Sequence, residues 1–548
     1  LNRLEWDKGY LTNPDEQHIY TTVLSLDFPK SVSDFLSEES SWNPKFFAYG
    51  SFPLYLLKGV AEFVKYIEPN VLGYEYLYTL GRPISALFDT GTILLVFVSC
   101  YLLTKSKDWG LLAAFLYAIA VLPIQMAHFY TVDGQLTFWG MACITSLLWA
   151  IQSHHNRFLY LAAIFCGFAV ATKITGLVLL VLIGVAIVFK SLTNLETGTL
   201  TFRWELVAHI IARCLFVAFL VGVVTIVLQP YMLIDTHQFT QDLELQLKMR
   251  TDAHIFPYTI QYLGSQPYWY PLRQMAWWGL GFMVTLLSLL GILYGLKESY
   301  REFFSVRRFQ PILIIITAIA VFFIPTGSSA VKFMRYYLPL YPLLILCAVY
   351  LLAAYWGRLR EWMQMSALII IIVPMIIWTL MFVSIYQQTH PWVQASEWMH
   401  AEIPEGETIA VEHWDRSLPL YEVTRFDTIT LGLYEPDTEQ KLDLLAGQLD
   451  EAEYIVIATN RLYGSIPHWP EKYPATIPYY EKLFAEQLGF KKIAEFTRYP
   501  QLFGFSINDQ SADESFTVYD HPRTIIFQKT DYNPQMILDL KEYLPLTR

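Results

Sequence analysis

Residues 365–386 read MSALIIIIVPMIIWTLMFVSIY, an apolar run with no charged residue that is long enough to cross a lipid bilayer. A hydrocarbon core of roughly 30 Å needs about 20 such residues in a helix. Similar runs occur at 83–103, 109–127, 134–151, 159–172, 174–190, 208–228, 272–295, 310–326 and 337–355. The sequence therefore predicts a mainly α, polytopic transmembrane bundle with ten visible spans at 83–389.

The composition supports the same class. The chain has 548 residues, of which 54% are hydrophobic and only 16% are charged, and its mean hydropathy is +0.34. A soluble protein of this length is normally less apolar. The five cysteines all lie in apolar runs, where a buried free thiol is the ordinary state. No Cys and His spacing is typical of zinc, so we expect neither a metal nor a cofactor.

Charge divides the chain near residue 390. Residues 390–548 hold 26 acidic and 13 basic residues, a net charge of −13, so residues 1–389 carry +2 of the whole-chain −11. This predicts a separate soluble domain at 390–548 and argues against nucleic acid as a partner. Short apolar stretches at 406–411, 454–458 and 524–527 predict strands of a small α/β domain. His413, Asp415, Asp520 and His521 show no triad spacing, so acceptor binding or docking is favoured there over catalysis.

Basic residues predict the orientation of the helices. The connections that would lie inside the cell contain Lys105, Lys107, Arg157, Lys190, Arg203, Lys297, Arg301, Arg307, Arg308, Arg358 and Arg360. This matches the positive-inside rule. The first loop, 1–82, and the acidic domain would then be extracytoplasmic. Because the chain begins with Leu1 in an outside segment, we expect that one further helix precedes it.

Three cations contradict this rule, because Lys173, Lys332 and Arg335 fall at the outer ends of helices. Two interpretations stay open. Their side chains could reach lipid headgroups, or they could hold a phosphate that leaves during a reaction.

The long first loop contains an acidic pair, Asp15 and Glu16, just outside the membrane. Farther along, apolar residues recur at helical spacing over 56–67, which predicts an amphipathic helix that lies on the membrane or packs on protein.

Ionisable residues also occur at the ends of spans. Asp133 would be a structural partner of a cation or a catalytic acid, because an unpaired carboxylate at that depth is costly. His128 is interpreted mainly as a packing residue. Arg82 and Asp89 are two helical turns apart and predict an ion pair, with a phosphate contact by Arg82 as the alternative.

Five motifs carry a resemblance to a known family. They are NPDEQH at 13–18, NPKFFAYGSFPLY at 43–55, HFYTVD at 128–133, QPYMLID at 229–235 and RYYLPLYP at 335–342. In this order they resemble the bacterial branch of the protein O-mannosyltransferases, which are family 39 glycosyltransferases of the GT-C fold. The resemblance covers about residues 1–390. Relatives carry a basic residue in a His-Pro-Pro-Leu or Lys-Pro-Pro-Leu motif where this chain has Ser51-Phe52-Pro53-Leu54.

The resemblance implies a membrane enzyme that moves a sugar, with inversion, from a polyprenyl or dolichyl phosphate to an acceptor hydroxyl on the outer side. It assigns the catalytic base to Asp15, with Glu16 beside it, and a further acidic role to Asp133. Substrate binding is predicted for Lys45, Tyr49, Arg82, His128, Lys173, Lys332 and Arg335. The acceptor would be a protein, a lipid or a glycan.

The chemistry supports this interpretation. A departing monophosphate can be held by Arg and Lys without a metal, while a carboxylate takes the acceptor proton. No Walker A or Rossmann motif is present, so a nucleotide sugar is not expected as donor. Two alternatives remain, a flippase or transporter of a lipid-linked sugar, for which no internal repeat is found, and a membrane-anchored glycan-binding protein.

Overall fold

The computed structural model describes residues 5–74, 76–153, 155–193, 204–306 and 310–545 and is mostly helical. The predicted fold class, a polytopic helix bundle followed by a small α/β region, is confirmed. Arg203, Arg307 and Arg308, which contributed to the predicted orientation, lie outside the described residues.

The first loop folds into three short helices, α1 (Pro14–Ser25), α2 (Val32–Phe35) and α3 (Phe52–Val64). Asn13 caps α1, since its side-chain oxygen accepts hydrogen bonds from the N–H groups of Asp15 at 2.9 Å and Glu16 at 3.3 Å. Asn is among the preferred residues at this position. The cap sets both acidic residues in the first helical turn.

The amphipathic helix predicted at 56–67 is present as α3, but its apolar residues divide between two environments. Leu57 is fully buried against protein, whereas Phe63 and the following Ile67 are 72% and 81% exposed. Lys58 is buried and pairs with Glu62 at 3.0 Å. One side of the helix therefore packs on protein, and the other is free to meet a membrane surface.

The bundle contains apolar helices at all ten predicted segments. Within the described residues, seven helices are long and apolar enough to cross a membrane, α5 and α6 form a pair bent by 60°, and α8 and α15 are shorter apolar helices. The helices of this part are α4 (Tyr78–Thr104), α5 (Lys107–Ala118), α6 (Val121–Ala127), α7 (Val132–Gln152), α8 (Arg157–Thr172), α9 (Leu179–Thr193), α10 (Trp204–Leu228), α11 (Tyr231–Ile234), α12 (Thr236–Thr251), α13 (Trp269–Gln274), α14 (Phe282–Val306), α15 (Ile312–Gly327), α16 (Leu340–Tyr355) and α17 (Glu361–Val383).

The predicted span 272–295 is interrupted. Residues 275–279 form a wide π turn, and Gly281 has a φ of +94° before α14 begins. Glycine adopts this backbone conformation without a steric penalty.

The carboxyl-terminal region is built on a five-stranded sheet in the order β2-β1-β3-β7-β4. Strand β1 is parallel to β2 and β3, and β7 is antiparallel to β3 and β4. The strands are β1 (Thr408–Glu412), β2 (Asp427–Leu431), β3 (Tyr454–Ile457), β4 (Phe490–Phe496), β5 (Gln501–Leu502), β6 (Phe505–Ser506) and β7 (Thr524–Lys529). The helices are α18 (Pro391–Glu402), α19 (Glu439–Glu451), α20 (Arg461–Ser465), α21 (Thr476–Phe484), α22 (Glu514–Thr517) and α23 (Gln535–Leu538).

One segment of this region, residues 509–521, inserts into the bundle. The Phe516 side chain is fully buried in the core cluster that the bundle helices form. Gln125 donates hydrogen bonds to the Phe516 carbonyl at 2.7 Å and to Asp520 at 2.9 Å, and the Tyr386 hydroxyl donates to Asp520 at 2.7 Å. The insertion joins the α/β region to the end of the bundle where the first loop lies.

Candidate active site

A close backbone contact at Gly50 attaches the first loop to the bundle. The Gly50 N–H donates to the Thr172 carbonyl at 2.9 Å, at the end of α8. A Cβ atom on Gly50 would lie only 1.9 Å from the Ala171 carbonyl oxygen, so only glycine fits. The contact brings Tyr49 and the start of α1 toward Lys173, the residue that follows α8.

Four charged residues, Asp15, Asp133, Lys173 and Arg335, meet there and are named the cavity cluster. Arg335 Nη2 lies 3.0 Å from Asp15 Oδ2, and Arg335 Nε lies 3.9 Å from Asp133 Oδ2. Lys173 Nζ lies 2.8 Å from Asp133 Oδ1. The four residues come from α1, from α7, from the end of α8 and from the loop before α16. The structure thus brings these predicted site residues together from segments far apart in sequence.

Aromatic rings enclose the two cations of the cavity cluster. Lys173 Nζ lies 4.5 Å from the centroid of the Tyr336 ring, and the Arg335 guanidinium lies 5.7 Å from the same ring. Such contacts stabilise a cation electrostatically. Burial raises the pKa of Tyr336 to about 12, so its hydroxyl is neutral at pH 7. The site prediction omitted Tyr336, although it stands in the quoted motif at 335–342.

Tyr49 and Asp15 form the face of the cavity cluster that the first loop supplies. Burial, followed by the negative charge of the nearby Asp15, raises the pKa of Tyr49 well above its ordinary value. The Tyr49 hydroxyl is therefore protonated at pH 7. The Asp15 side chain keeps 22% exposure, so a second group can still reach it.

Glu16 points elsewhere and joins a set of three residues, Asp7, Glu16 and Arg82, that is named the buried cluster. Arg82 Nη2 lies 2.7 Å from Asp7 Oδ2 and 2.9 Å from Glu16 Oε2. All three side chains are at most 1% exposed. Glu16 also accepts hydrogen bonds from the Tyr20 hydroxyl at 2.8 Å and the Tyr130 N–H at 3.0 Å. Its oxygens are therefore enclosed within protein rather than open to a substrate.

The predicted ion pair between Arg82 and Asp89 is wrong. Asp89 instead accepts a hydrogen bond from the Tyr117 hydroxyl at 2.9 Å. Seven residues of helix separate Arg82 from Asp89 by about 10 Å along the axis. Asp7 and Glu16 come from the first loop and approach the guanidinium from two sides. Their carboxylates accept hydrogen bonds from its N–H groups. The alternative, a phosphate contact by Arg82, stays a prediction, and in this structure the guanidinium is buried between the two carboxylates.

Lys45 and Lys332 were also predicted to bind substrate. Lys45 pairs instead with Asp235 at 3.2 Å and Glu39 at 3.4 Å. Lys332 is 3% exposed and donates to the Ser265 hydroxyl at 3.0 Å. Neither ammonium group contacts a carboxylate of the cavity cluster in the described part of the chain.

His128, another predicted substrate-binding residue, is a packing residue in this structure. Its ring stacks on Tyr386 with centroids 3.7 Å apart and planes 2° apart. Its Nδ1 lies 2.8 Å from the Ile124 carbonyl oxygen. The interpretation of His128 as a packing residue therefore describes the contacts observed.

A cavity of about 340 Å³ adjoins the cavity cluster. Its polar lining includes Asp133, Lys173 and Tyr336 of the site, together with Gln246, Arg250, Thr326 and Ser329. Its other walls are largely apolar and include Leu177, Val178, Leu243, Leu247, Phe322 and Pro325. An elongated apolar ligand with an anionic head matches this division. Among the described residues no group of three or more His, Cys, Asp and Glu side chains could hold a metal ion.

Comparisons with known proteins confirm the family resemblance. The family model described as dolichyl-phosphate-mannose-protein mannosyltransferase matches residues 38–236. No curated protein matches the chain. The prediction of a glycosyltransferase that uses a lipid-linked sugar is confirmed at this level of detail.

Two solved structures are similar to this chain. The oligosaccharyltransferase of Archaeoglobus fulgidus in the apo form is 14% identical, with a TM-score of 0.51 over 95% of this chain and 85% of that chain. ArnT of Cupriavidus metallidurans bound to undecaprenyl phosphate is also 14% identical, with a TM-score of 0.47 over 95% of each chain. At 14% identity, the similarity to the oligosaccharyltransferase shows the fold alone. The TM-score of the ArnT match is too low to support a further conclusion.

Proposed function

We propose that this chain is an inverting glycosyltransferase that moves a mannose-like sugar from a polyprenyl or dolichyl phosphate to an acceptor hydroxyl at the extracytoplasmic face of a bacterial plasma membrane. The observation that carries the proposal is the partly exposed Asp15 carboxylate, which pairs with Arg335 next to Asp133, a residue that lines the apolar cavity. The match to the dolichyl-phosphate-mannose-protein mannosyltransferase family supports the mannose-like sugar and the lipid phosphate.

The donor would lie with its isoprenoid chain along the apolar walls and its phosphate at Lys173 and Arg335. Both cations already pair with carboxylates, so an arriving phosphate competes for them. As Arg335 turns toward the phosphate, Asp15 loses its cationic partner and becomes available as a base. Asp133 stays bonded to Lys173 and holds that ammonium group in position.

In the transfer step the acceptor oxygen attacks the anomeric carbon of the sugar from the side opposite the phosphate. The acceptor O–H bond breaks and its proton passes to Asp15, the new glycosidic C–O bond forms, and the old bond from the anomeric carbon to the phosphate oxygen breaks. Its electrons leave with the lipid phosphate, whose charge Lys173 and Arg335 neutralise. Each sugar transferred inverts the anomeric configuration once.

The test is Asp15→Asn, assayed with a radiolabelled polyprenyl-phosphate sugar in proteoliposomes. Loss of the base predicts a fall in turnover of about 10²- to 10⁴-fold, with an unchanged melting temperature. Asp27→Asn is the matched control, because Asp27 is an exposed carboxylate just beyond α1. Equal turnover of Asp15→Asn and the wild type would refute the proposal.

A further inference from the structure

A second cavity, of about 420 Å³, lies between the bundle and the α/β region. The bundle contributes the connection before α13 and α13 itself, through Gln261, Ser265 and Gln274. The α/β region contributes residues after β3 and the insertion at 509–521, through Asn460 and Gln510. Both structural units are needed to enclose it. The proposed transfer chemistry does not use it.

The position of this cavity follows from the sheet. Strand β1 has β2 on one side and β3 on the other, all three parallel, so the chain reverses its winding direction between β1 and β3. Ligands of open α/β sheets bind beyond the carboxyl ends of strands at such a point. Here Asp415, after β1, accepts hydrogen bonds from the N–H of Thr459 at 2.9 Å and its hydroxyl at 2.7 Å, after β3. Arg461, two residues on, lines the cavity.

The charged residues of the cavity wall are largely neutralised. Arg461 Nε lies 2.8 Å from Glu514 Oε1, and Gln261 donates to Glu514 Oε2 at 2.9 Å. Arg273 remains exposed at the rim. A strongly charged ligand therefore gains little from this wall, whereas a neutral polar ligand meets fixed hydrogen-bonding groups.

The uncharged part of the wall includes four amide side chains and three serine hydroxyls, from Gln261, Gln274, Asn460, Gln510, Ser265, Ser465 and Ser511. The amide nitrogen and oxygen of Gln510 are both enclosed, and within the described part of the chain neither makes a hydrogen bond. An enclosed amide without a partner is unfavourable by about 1 to 3 kcal/mol, which is a reason to look for a ligand. Sugar hydroxyls both donate and accept, so a carboxamide pairs with two neighbouring hydroxyls at once.

Tyr519 links a residue of the cavity wall to the first loop. The Arg461 guanidinium lies 6.0 Å from the ring centroid of Tyr519, and the charges of Arg335 and Asp15 act on the Tyr519 hydroxyl. Thr12, in the first loop, donates to the Tyr519 carbonyl at 2.5 Å. Tyr519 therefore contacts both Arg461, which lines the second cavity, and the loop that carries Asp15.

We infer that this second cavity binds the hydroxyl groups of a carbohydrate acceptor and directs it past Tyr519 toward Asp15. This inference rests on the proposed function, because it names the class of acceptor for that reaction. A peptide is disfavoured, since the walls offer amides and hydroxyls rather than apolar side-chain pockets or an unpaired strand edge.

The test measures binding separately from transfer. Saturation-transfer NMR on the full-length protein in nanodiscs would use neutral trisaccharides of mannose, glucose and N-acetylglucosamine, and a serine- and threonine-containing hexapeptide. We expect at least one trisaccharide to bind at millimolar concentration, and Gln510→Met to weaken it about 5- to 10-fold through loss of two hydrogen bonds. Gln535→Met, an exposed glutamine outside the cavity, is the control and should bind normally.

Asp15→Asn separates this inference from the proposed function. It should bind the trisaccharide with unchanged affinity, because Asp15 does not line the second cavity. Suppose that Asp15→Asn transfers sugar as fast as the wild type while Gln510→Met still weakens trisaccharide binding. The proposed function is then wrong, and the assignment of the second cavity as a carbohydrate site holds. Absence of binding by every trisaccharide, equal binding by Gln510→Met, or binding of the hexapeptide alone would overturn the inference.

Discussion

The cavity cluster and the buried cluster have similar chemistry and different surroundings. Each places an arginine between two carboxylates, and their acidic residues Asp15 and Glu16 are neighbours in the chain. Yet Asp15 is 22% exposed and Glu16 is fully buried. Exposure of the carboxylate, rather than the type of charge, therefore separates the candidate base from the structural anion.

Helical geometry explains how adjacent residues reach different clusters. Successive residues of an α-helix point about 100° apart around its axis. In the first turn of α1, Glu16 therefore faces Arg82 on α4, while Asp15 faces Arg335. The buried cluster holds α1 against the bundle, and this fixes the direction of Asp15.

The largest expected effect is on stability, from Arg82→Met in the buried cluster. Removing the guanidinium leaves Asp7 and Glu16 buried without a cation, and breaking such a set costs about 3 to 5 kcal/mol. We expect a clearly lower melting temperature in detergent. The triple variant Arg82→Met, Asp7→Asn, Glu16→Gln should recover much of the loss. An Arg82→Met variant with the melting temperature of the wild type would contradict the structural role given to the buried cluster.

The next effect is on catalysis, from Arg335→Gln in the cavity cluster. If Arg335 neutralises the leaving phosphate, its loss should lower kcat by about 10²- to 10³-fold, as for other donors to a developing anion. Stability should change far less than for Arg82→Met. Arg335→Lys is the graded control, since it keeps the charge but loses the two-pronged geometry. A destabilised but fully active Arg335→Gln would reverse the roles given to the clusters.

A third enclosed charge set extends the comparison to the α/β region. His521 Nε2 lies 2.8 Å from Asp509 Oδ2, its Nδ1 bonds Asp520, and all three side chains are fully buried. Burial opposes the charged ring, but the two carboxylates outweigh it and raise the pKa of His521 to about 10. Because the ordinary value is about 6.5, this stabilisation is complete below pH 6.5 and is lost as the pH rises to 10.

The pH effect is measurable as a melting temperature that falls between pH 6.5 and 10, by the equivalent of a few kcal/mol, because a change of one pKa unit corresponds to about 1.4 kcal/mol. His521→Gln should flatten this part of the profile. The same pH slope in the wild type and the variant would show that His521 carries no charge when buried.

The smallest effect is expected from Lys45→Ala. This side chain is 45% exposed and pairs with Asp235 and Glu39, and such pairs contribute about 0 to 1 kcal/mol. Turnover should stay within about twofold of the wild type, because Lys45 contacts neither cluster. A large rise in KM for the lipid donor would restore the substrate-binding role predicted from the sequence. Glu39→Gln, which removes only the exposed partner, is the control.

Part of the candidate site could be predicted from the sequence. Asp133, Lys173 and Arg335 stood out because each charge sits at the end of an apolar helix, where an unpaired ion is costly. Asp15 was predicted from the acidic pair in the first loop and from the family resemblance. Asp7 and Tyr519 gave no such signal, since a polar residue in a loop is ordinary. The partner of Arg82 was predicted wrongly because helical spacing indicates only neighbours within one helix. It does not indicate that the first loop packs against that helix and supplies Asp7 and Glu16.

Periodicity and hydropathy alone determined the membrane helices, the α/β region and three of its strands, because backbone hydrogen bonding and burial of apolar side chains depend on local pattern. Only the tertiary structure decided that Asp15 and Glu16 belong to different clusters. It also decided that the 509–521 segment inserts into the bundle near the first loop, and that Arg82 is buried. These outcomes depend on the electrostatics and packing of groups up to hundreds of residues apart, and no local pattern records such distances.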